Sequence, residues 1–234
     1  MAGIIAAMTP AARRTAVLAA LCGLLLISCS PANPAPVDGF VFGYQPLWPF
    51  ADQQEADQST ADWHADPGAT ALAFTRDFLD FNEIDRIAGA TEDDDEAWVD
   101  VGYRLPDDRV ATAATIHLAR FGPAADAPWE VVGTRDEVLT LQAPPYGSLV
   151  RDTVEAGGRI TGIDESLHLQ IRQSGQDRAL GDYCCLPAGG QDQPWSAQVS
   201  MTRAPRPGTV TVVVSTGGHV AEVERFAVTG LRVQ

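Results

Sequence analysis

Cys184-Cys185, the four histidines His64, His117, His168 and His219, and the run Glu92-Asp93-Asp94-Asp95-Glu96 are the groups through which this 234-residue chain could do chemistry. Adjacent cysteines could bind a soft metal or act as a thiol switch. Metal sites and redox enzymes usually separate their cysteines by two residues so that both thiolates converge, and no second Cys pair exists here to complete a zinc site. Direct pairing closes an eight-membered ring, because neighbouring Cα atoms, ~3.8 Å apart across a trans peptide, lie below the usual disulfide range. Such a bond is correspondingly easier to reduce. A vicinal disulfide or a pair of packed thiols is the expected state of Cys184 and Cys185.

The histidines are scattered with no His-x-x-x-His spacing, and solvent-facing positions account for His117 and His168. The acidic run could gather Ca²⁺ through its carboxylates. Consecutive side chains point in different directions, however, and the alternating Asp-x-Asp-x-Asp-Gly pattern of a calcium loop is absent, so a solvated loop is expected. No Gly-x-Ser-x-Gly elbow and no Gly-rich phosphate loop occurs. All 16 basic residues are Arg and none is Lys, which excludes lysine chemistry and has the amino-acid usage of a GC-rich genome such as an actinobacterium's. No catalytic residue, metal or cofactor is assigned.

The elements around these groups begin with an export signal: Arg13-Arg14 precede an apolar run of thirteen residues, Thr15 to Ile27. That is well short of the ~20 needed to span a bilayer. Leu26-Ile27-Ser28-Cys29 resembles the bacterial lipoprotein signal box. The resemblance implies a diacylglyceryl thioether on Cys29, its two acyl chains such as palmitate, and cleavage before it, which anchors the protein on the extracytoplasmic face of the cell membrane. Two acyl chains hold stably where one does not. Arg13-Arg14 also loosely suggests twin-arginine export beside the general route. With Cys22 removed and Cys29 acylated, Cys184 and Cys185 are the remaining thiols. The mature charge is −17, from 14 Arg against 31 acidic residues. An anionic body repels nucleic acid and anionic lipid.

Residues 1–28 therefore read as the signal peptide and 29–47, with Pro31, Pro34 and Pro36, as a lipidated tether. Residues 48–143 read as an α+β domain. Asp66-Pro67 caps a helix of about four turns carrying Ala71, Phe74, Phe78 and Phe81. Strands follow at Val99–Leu105, Val110–Phe121 and Trp129–Thr134, the last continuing after a bend into Val138–Leu141. A helix followed by an antiparallel meander is an α+β order. The aromatics Trp48 and Phe50, with Phe40, Phe42, Tyr44 and Trp63 nearby, either pack an N-terminal arm onto this domain or stay exposed for a partner or glycan. Residues 144–234 alternate Leu167, Leu169 and Ile171 with His168, Gln170 and Arg172, and Trp195, Ala197, Val199 and Met201 with polar neighbours. With Val210, Val212, Val214, Phe226 and Val228 this is the pattern of an all-β sandwich.

The helix, acidic turn and three strands ending in Trp-Glu-Val-Val-Gly resemble the NTF2-like and cystatin-like superfamilies, which implies a curved antiparallel sheet around a helix and a cone-shaped cavity. Tyr146-Gly147-Ser148-Leu149-Val150, Val154, Gly158, Gly162, Leu167 to Ile171, Pro194-Trp195-Ser196-Ala197 and Thr209 to Val214 resemble the immunoglobulin-like domain of bacterial spore-germination lipoproteins. The GerM-type domain usual beside it is not visible, and Asp182-Tyr183-Cys184-Cys185-Leu186-Pro187 departs from it. The expectation is a non-enzymatic lipoprotein that binds or organises the envelope, its partner an envelope protein or polymer. The rival is an enzyme or small-ligand carrier using the cone of residues 66–143, a use that Phe74, Phe78 and Tyr103 would block if they filled the space.

Overall fold

The computed structural model describes residues 43–122 and 124–233; Cys29, the signal segment and most of the tether lie outside the described residues. Asp52 caps α1 (Gln53–Gln58), its carboxylate accepting from the Glu55 amide at 2.9 Å. A short 3₁₀ turn at Asp62–Ala65 leads to α2 (Pro67–Ala73), which starts as its residues dictate. Asp66 Oδ1 accepts from the Ala69 amide at 2.6 Å, and Pro67 occupies the first turn where a missing N–H costs nothing.

The helix does not reach Phe81. It widens into a π turn at Phe74–Phe78, closed by the Leu79 amide on the Phe74 carbonyl at 3.0 Å, and Asp80 then adopts φ 64°. Buried Thr75 explains the stop: its hydroxyl lies 2.8 Å from the Leu72 carbonyl and 3.1 Å from that of Ile84, so it holds the returning chain against the last turn.

Strands β1 (Arg86–Glu92), β2 (Glu96–Arg104), β3 (Val110–Arg120) and β4 (Trp129–Arg135) form an antiparallel sheet in chain order. Val99, Val101, Ile116, Leu118 and Val131 share a core with Ala71, Phe74 and Phe78 of the helix. In this sheet β1 is the strand the sequence does not announce: five of its seven residues are exposed, so it carries no period-two signal. Val138 to Leu141 does not extend β4. It leaves the sheet and runs beside β5 (Thr153–Ile160), with the Thr140 amide on the Arg159 carbonyl and the Thr161 amide on the Val138 carbonyl, both at 2.9 Å.

The later strands are β6 (Ser166–Arg172), β7 (Gly181–Pro187), β8 (Gln193–Ser200), β9 (Gly208–Thr216) and β10 (Arg225–Val233). They form an antiparallel sheet in the order β10-β9-β6-β7 and a β5-β8 pair. Leu167, Leu169, Ile171, Val210, Val212 and Val214 meet Val154, Ile160, Trp195 and Val199 in a second core. The molecule is thus mostly antiparallel sheet with a few short helices.

Sheet residues from both sides of position 144 meet in the first core. Val213, Phe226 and Val228, on the opposite face of β9 and β10, lie in the same cluster as Phe74, Val99 and Trp129. Both faces of β9 are therefore covered, which is why Val212-Val213-Val214 runs apolar without alternation. The Val228 amide also donates to Thr134 Oγ1 of β4 at 2.8 Å.

The chain is packed from Gln45 onward, inside the stretch read as tether. Gln45 and Leu47 are buried, the Leu47 amide donates to the Val131 carbonyl at 3.0 Å, and Val131 returns a bond to Trp48 at 2.8 Å. Tyr146 grips Gln45 from both sides, its hydroxyl accepting from the Gln45 amide at 2.6 Å and donating to its carbonyl at 3.1 Å. Trp48 stacks on Trp63 at 5.3 Å and Phe50 on Phe121 at 6.1 Å. Among the described residues no helix is long and apolar enough to cross a membrane.

Candidate functional site

The alternation of β6 sends Leu167, Leu169 and Ile171 into the second core and turns Ser166, His168, Gln170 and Arg172 the other way. That outward row does not simply face solvent. With the Leu79–Phe81 turn beyond the helix and the β9–β10 connection it lines a groove of about 730 Å³, to which Asp164, Glu165, Cys185, Ser215, Thr216 and Glu222 also contribute.

Arg172 joins the two sides of the groove. Its Nη2 lies 2.6 Å from Asp80 Oδ2, Nη1 donates to the Phe78 carbonyl and Nε donates to Gln170 Oε1 at 2.9 Å. The left-handed turn at Asp80 that ends the helix thus also sets a carboxylate on the guanidinium. Farther along the groove His168 Nε2 donates to Asp182 Oδ2 at 2.8 Å, and Gln170 Nε2 donates to the same oxygen at 3.0 Å. Asp182 titrates low: partial burial would raise it, but the Gln170 and His168 hydrogen bonds favour the carboxylate and prevail. Glu165 approaches His219 at 3.7 Å. Thr216 is only 3% exposed and its Oγ1 has no protein hydrogen-bond partner among the described residues. The groove therefore offers carboxylates and hydroxyls as acceptors, while its guanidinium is committed within the protein.

Cys184 and Cys185 are joined as a disulfide, their Cα atoms 3.0 Å apart across a cis peptide. Both lie exposed on β7. His168 pairs with Cys184 in register while Leu167 pairs with Leu186, which leaves Cys185 as the extra residue of a bulge.

The other histidines do not converge. His64 is buried, with Nδ1 2.7 Å from Ser59 Oγ and its pKa lowered by burial. His117 does not face solvent as its strand position suggested: its side chain is 18% exposed, stacked on Trp98 at 4.8 Å and edged by Tyr44 at 5.1 Å. Burial lowers its pKa, against Glu96 3.6 Å away. The Tyr44 hydroxyl donates to Glu96 Oε1 at 2.6 Å and is pushed up to about 12, by burial first and then by that carboxylate. Glu92 to Asp95 form the exposed tip of the β1–β2 hairpin.

Phe74, Phe78 and Tyr103, on which the cone-shaped cavity depended, are all buried in one cluster. The groove residues Asp80, Arg172 and Thr216 were not singled out from sequence. The alternation of β6 placed His168, Gln170 and Arg172 on one face, but nothing local announced that Asp80, 92 residues from Arg172, would meet them. No protein-family model matches the chain, and no curated protein matches its sequence.

Proposed function

We propose that the chain is a membrane-anchored lipoprotein, held on the extracytoplasmic face by lipid on Cys29, that acts as a non-enzymatic binding or envelope-organising module. In this reading residues 48–143 are an α+β unit of the NTF2-like or cystatin-like kind. Residues 144–234 are an immunoglobulin-like sandwich of the spore-germination type, its inner faces being those of β6, β9 and β10 against β5 and β8. The observation that carries the reading is the groove, where Asp164, Glu165 and Glu222 line the walls. Acceptors without a free cation suit a basic segment of an envelope protein. The burial of Phe74, Phe78 and Tyr103 between helix and sheet speaks against the rival, an enzyme or small-ligand carrier using that space.

A fluorescent arginine-rich peptide tests the site by anisotropy. Binding should weaken with salt and fall about tenfold in the Asp164→Asn/Glu165→Gln variant, from two surface charges of ~0.7 kcal/mol each. Absence of binding, or equal binding by the variant, rejects the groove. Anchoring has its own test: Cys29→Ala should accumulate as unprocessed precursor without acyl label, and normal labelling of that variant would rule out the lipid.

A further inference from the structure

The Cys184–Cys185 disulfide lies exposed on β7, the last strand of its sheet, where one side is paired with β6 and the other carries no sheet partner among the described residues. Structural disulfides of a core are shielded; this one is open to attack. The bulge at Leu167/His168 sets Cys185 into the groove wall and leaves Cys184 opposite His168. Asp182, two residues before Cys184 and so on the same strand face, holds the His168 ring at 2.8 Å. An imidazole oriented by a carboxylate beside a scissile bond is the arrangement from which a leaving group takes a proton.

We propose that Cys184–Cys185 is a thiol–disulfide exchange site for a dithiol protein of the Cys-x-x-Cys class, with His168 as proton donor and Asp182 as its positioning residue. The partner's thiolate attacks Cys185 Sγ from the groove, forming a mixed disulfide as the Cys184–Cys185 bond breaks. The expelled Cys184 sulfur takes a proton from the His168 imidazolium. The partner's second thiol, deprotonated, then attacks its own mixed-disulfide sulfur and releases Cys185, which is protonated in turn. Two electrons and two protons pass from the partner dithiol to this chain, one disulfide being lost here and one formed there. The step requires nothing of the groove's basic ligand, so it stands or falls separately from the binding reading.

The test uses the detergent-solubilised full chain and reduced thioredoxin whose resolving cysteine is replaced by serine, with peptide mass spectrometry of the trapped adduct. The expected adduct is on Cys185. With intact thioredoxin, His168→Gln should slow reduction about tenfold at acidic pH, below the ~10²-fold of enclosed general acids because the ring is half exposed. The deficit should shrink as pH rises, and Asp182→Asn should slow reduction over the same pH range without moving the adduct. The other charged groups on the groove, Arg172 of β6, Asp80 of the helix-end turn and Asp164, Glu165 and Glu222 of the flanking loops, are left unchanged in both variants. An adduct on Cys184, adduct formation only after unfolding in urea, or wild-type rates for His168→Gln at every pH would each overturn the proposal.

Discussion

Glu130 sits at 0% exposure on β4, with Oε2 accepting from the Phe50 amide at 3.2 Å and Oε1 without a protein hydrogen-bond partner among the described residues. Burial raises its pKa well above the ordinary carboxyl value, against the opposing pull of the Phe50 and Trp48 amides. In the window between the unfolded and the raised folded pKa, the folded chain keeps a proton that the unfolded chain has released. Stability therefore falls as pH rises through that window, by about 1.4 kcal/mol per unit at most. Glu130→Gln keeps the shape and an acceptor for Phe50 while removing the titration. Thermal melts at pH 5 and pH 8 should show the variant gaining on the wild type at the higher pH; parallel losses in both would mean that Glu130 is ionised inside the fold.

At the scale of elements, two devices fix how segments meet. Asp66 caps α2, and Asp66→Ala should cost ~1 kcal/mol in chemical denaturation. Gly158 of β5 lies where the Val138–Leu141 stretch crosses, and a Cβ there would stand 1.9 Å from the Thr140 carbonyl oxygen. Gly158→Ala should accordingly cost ~2 kcal/mol or more, because backbone and not a flexible side chain must move. A cost under ~0.5 kcal/mol would show that the crossing strand is free to shift. The cap and β6 were legible in sequence because each is a local pattern: Asp-Pro before an apolar period, and Leu167-x-Leu169-x-Ile171. β1 and β7 were not, since Asp182 to Cys185 are all exposed and offer no period to read. The groove was illegible for a related reason: its ion pair joins Asp80 to Arg172 across the two segments, and Thr216 matters only through burial that the hairpin residues do not encode. Phe81 keeps helical spacing in the sequence, so the pattern runs past the point where Thr75 redirects the chain.

The molecule as a whole is bound together by the core that Val213, Phe226 and Val228 share with the helix and first sheet. Each such side chain contributes ~1.5–3 kcal/mol when removed from water. Residues 144–233 produced alone would expose that face, and we expect them to associate or remain partly unfolded on size-exclusion chromatography. The intact chain should unfold in one transition, and Phe226→Ala should destabilise it by ~3–5 kcal/mol with Trp129 and Trp195 reporting the same midpoint. Separate midpoints would show that the two segments are independent. The grip of Tyr146 on Gln45 has a mechanical side as well. Tension applied to the chain upstream of residue 43, as by an anchor in a moving envelope, meets the Tyr44–Glu96 hydrogen bond, then that peptide and then the Leu47–Val131 pair. Part of the load thus passes through a side chain of the later segment, so a tug on one end of the polypeptide is shared between the first sheet and the far half of the chain.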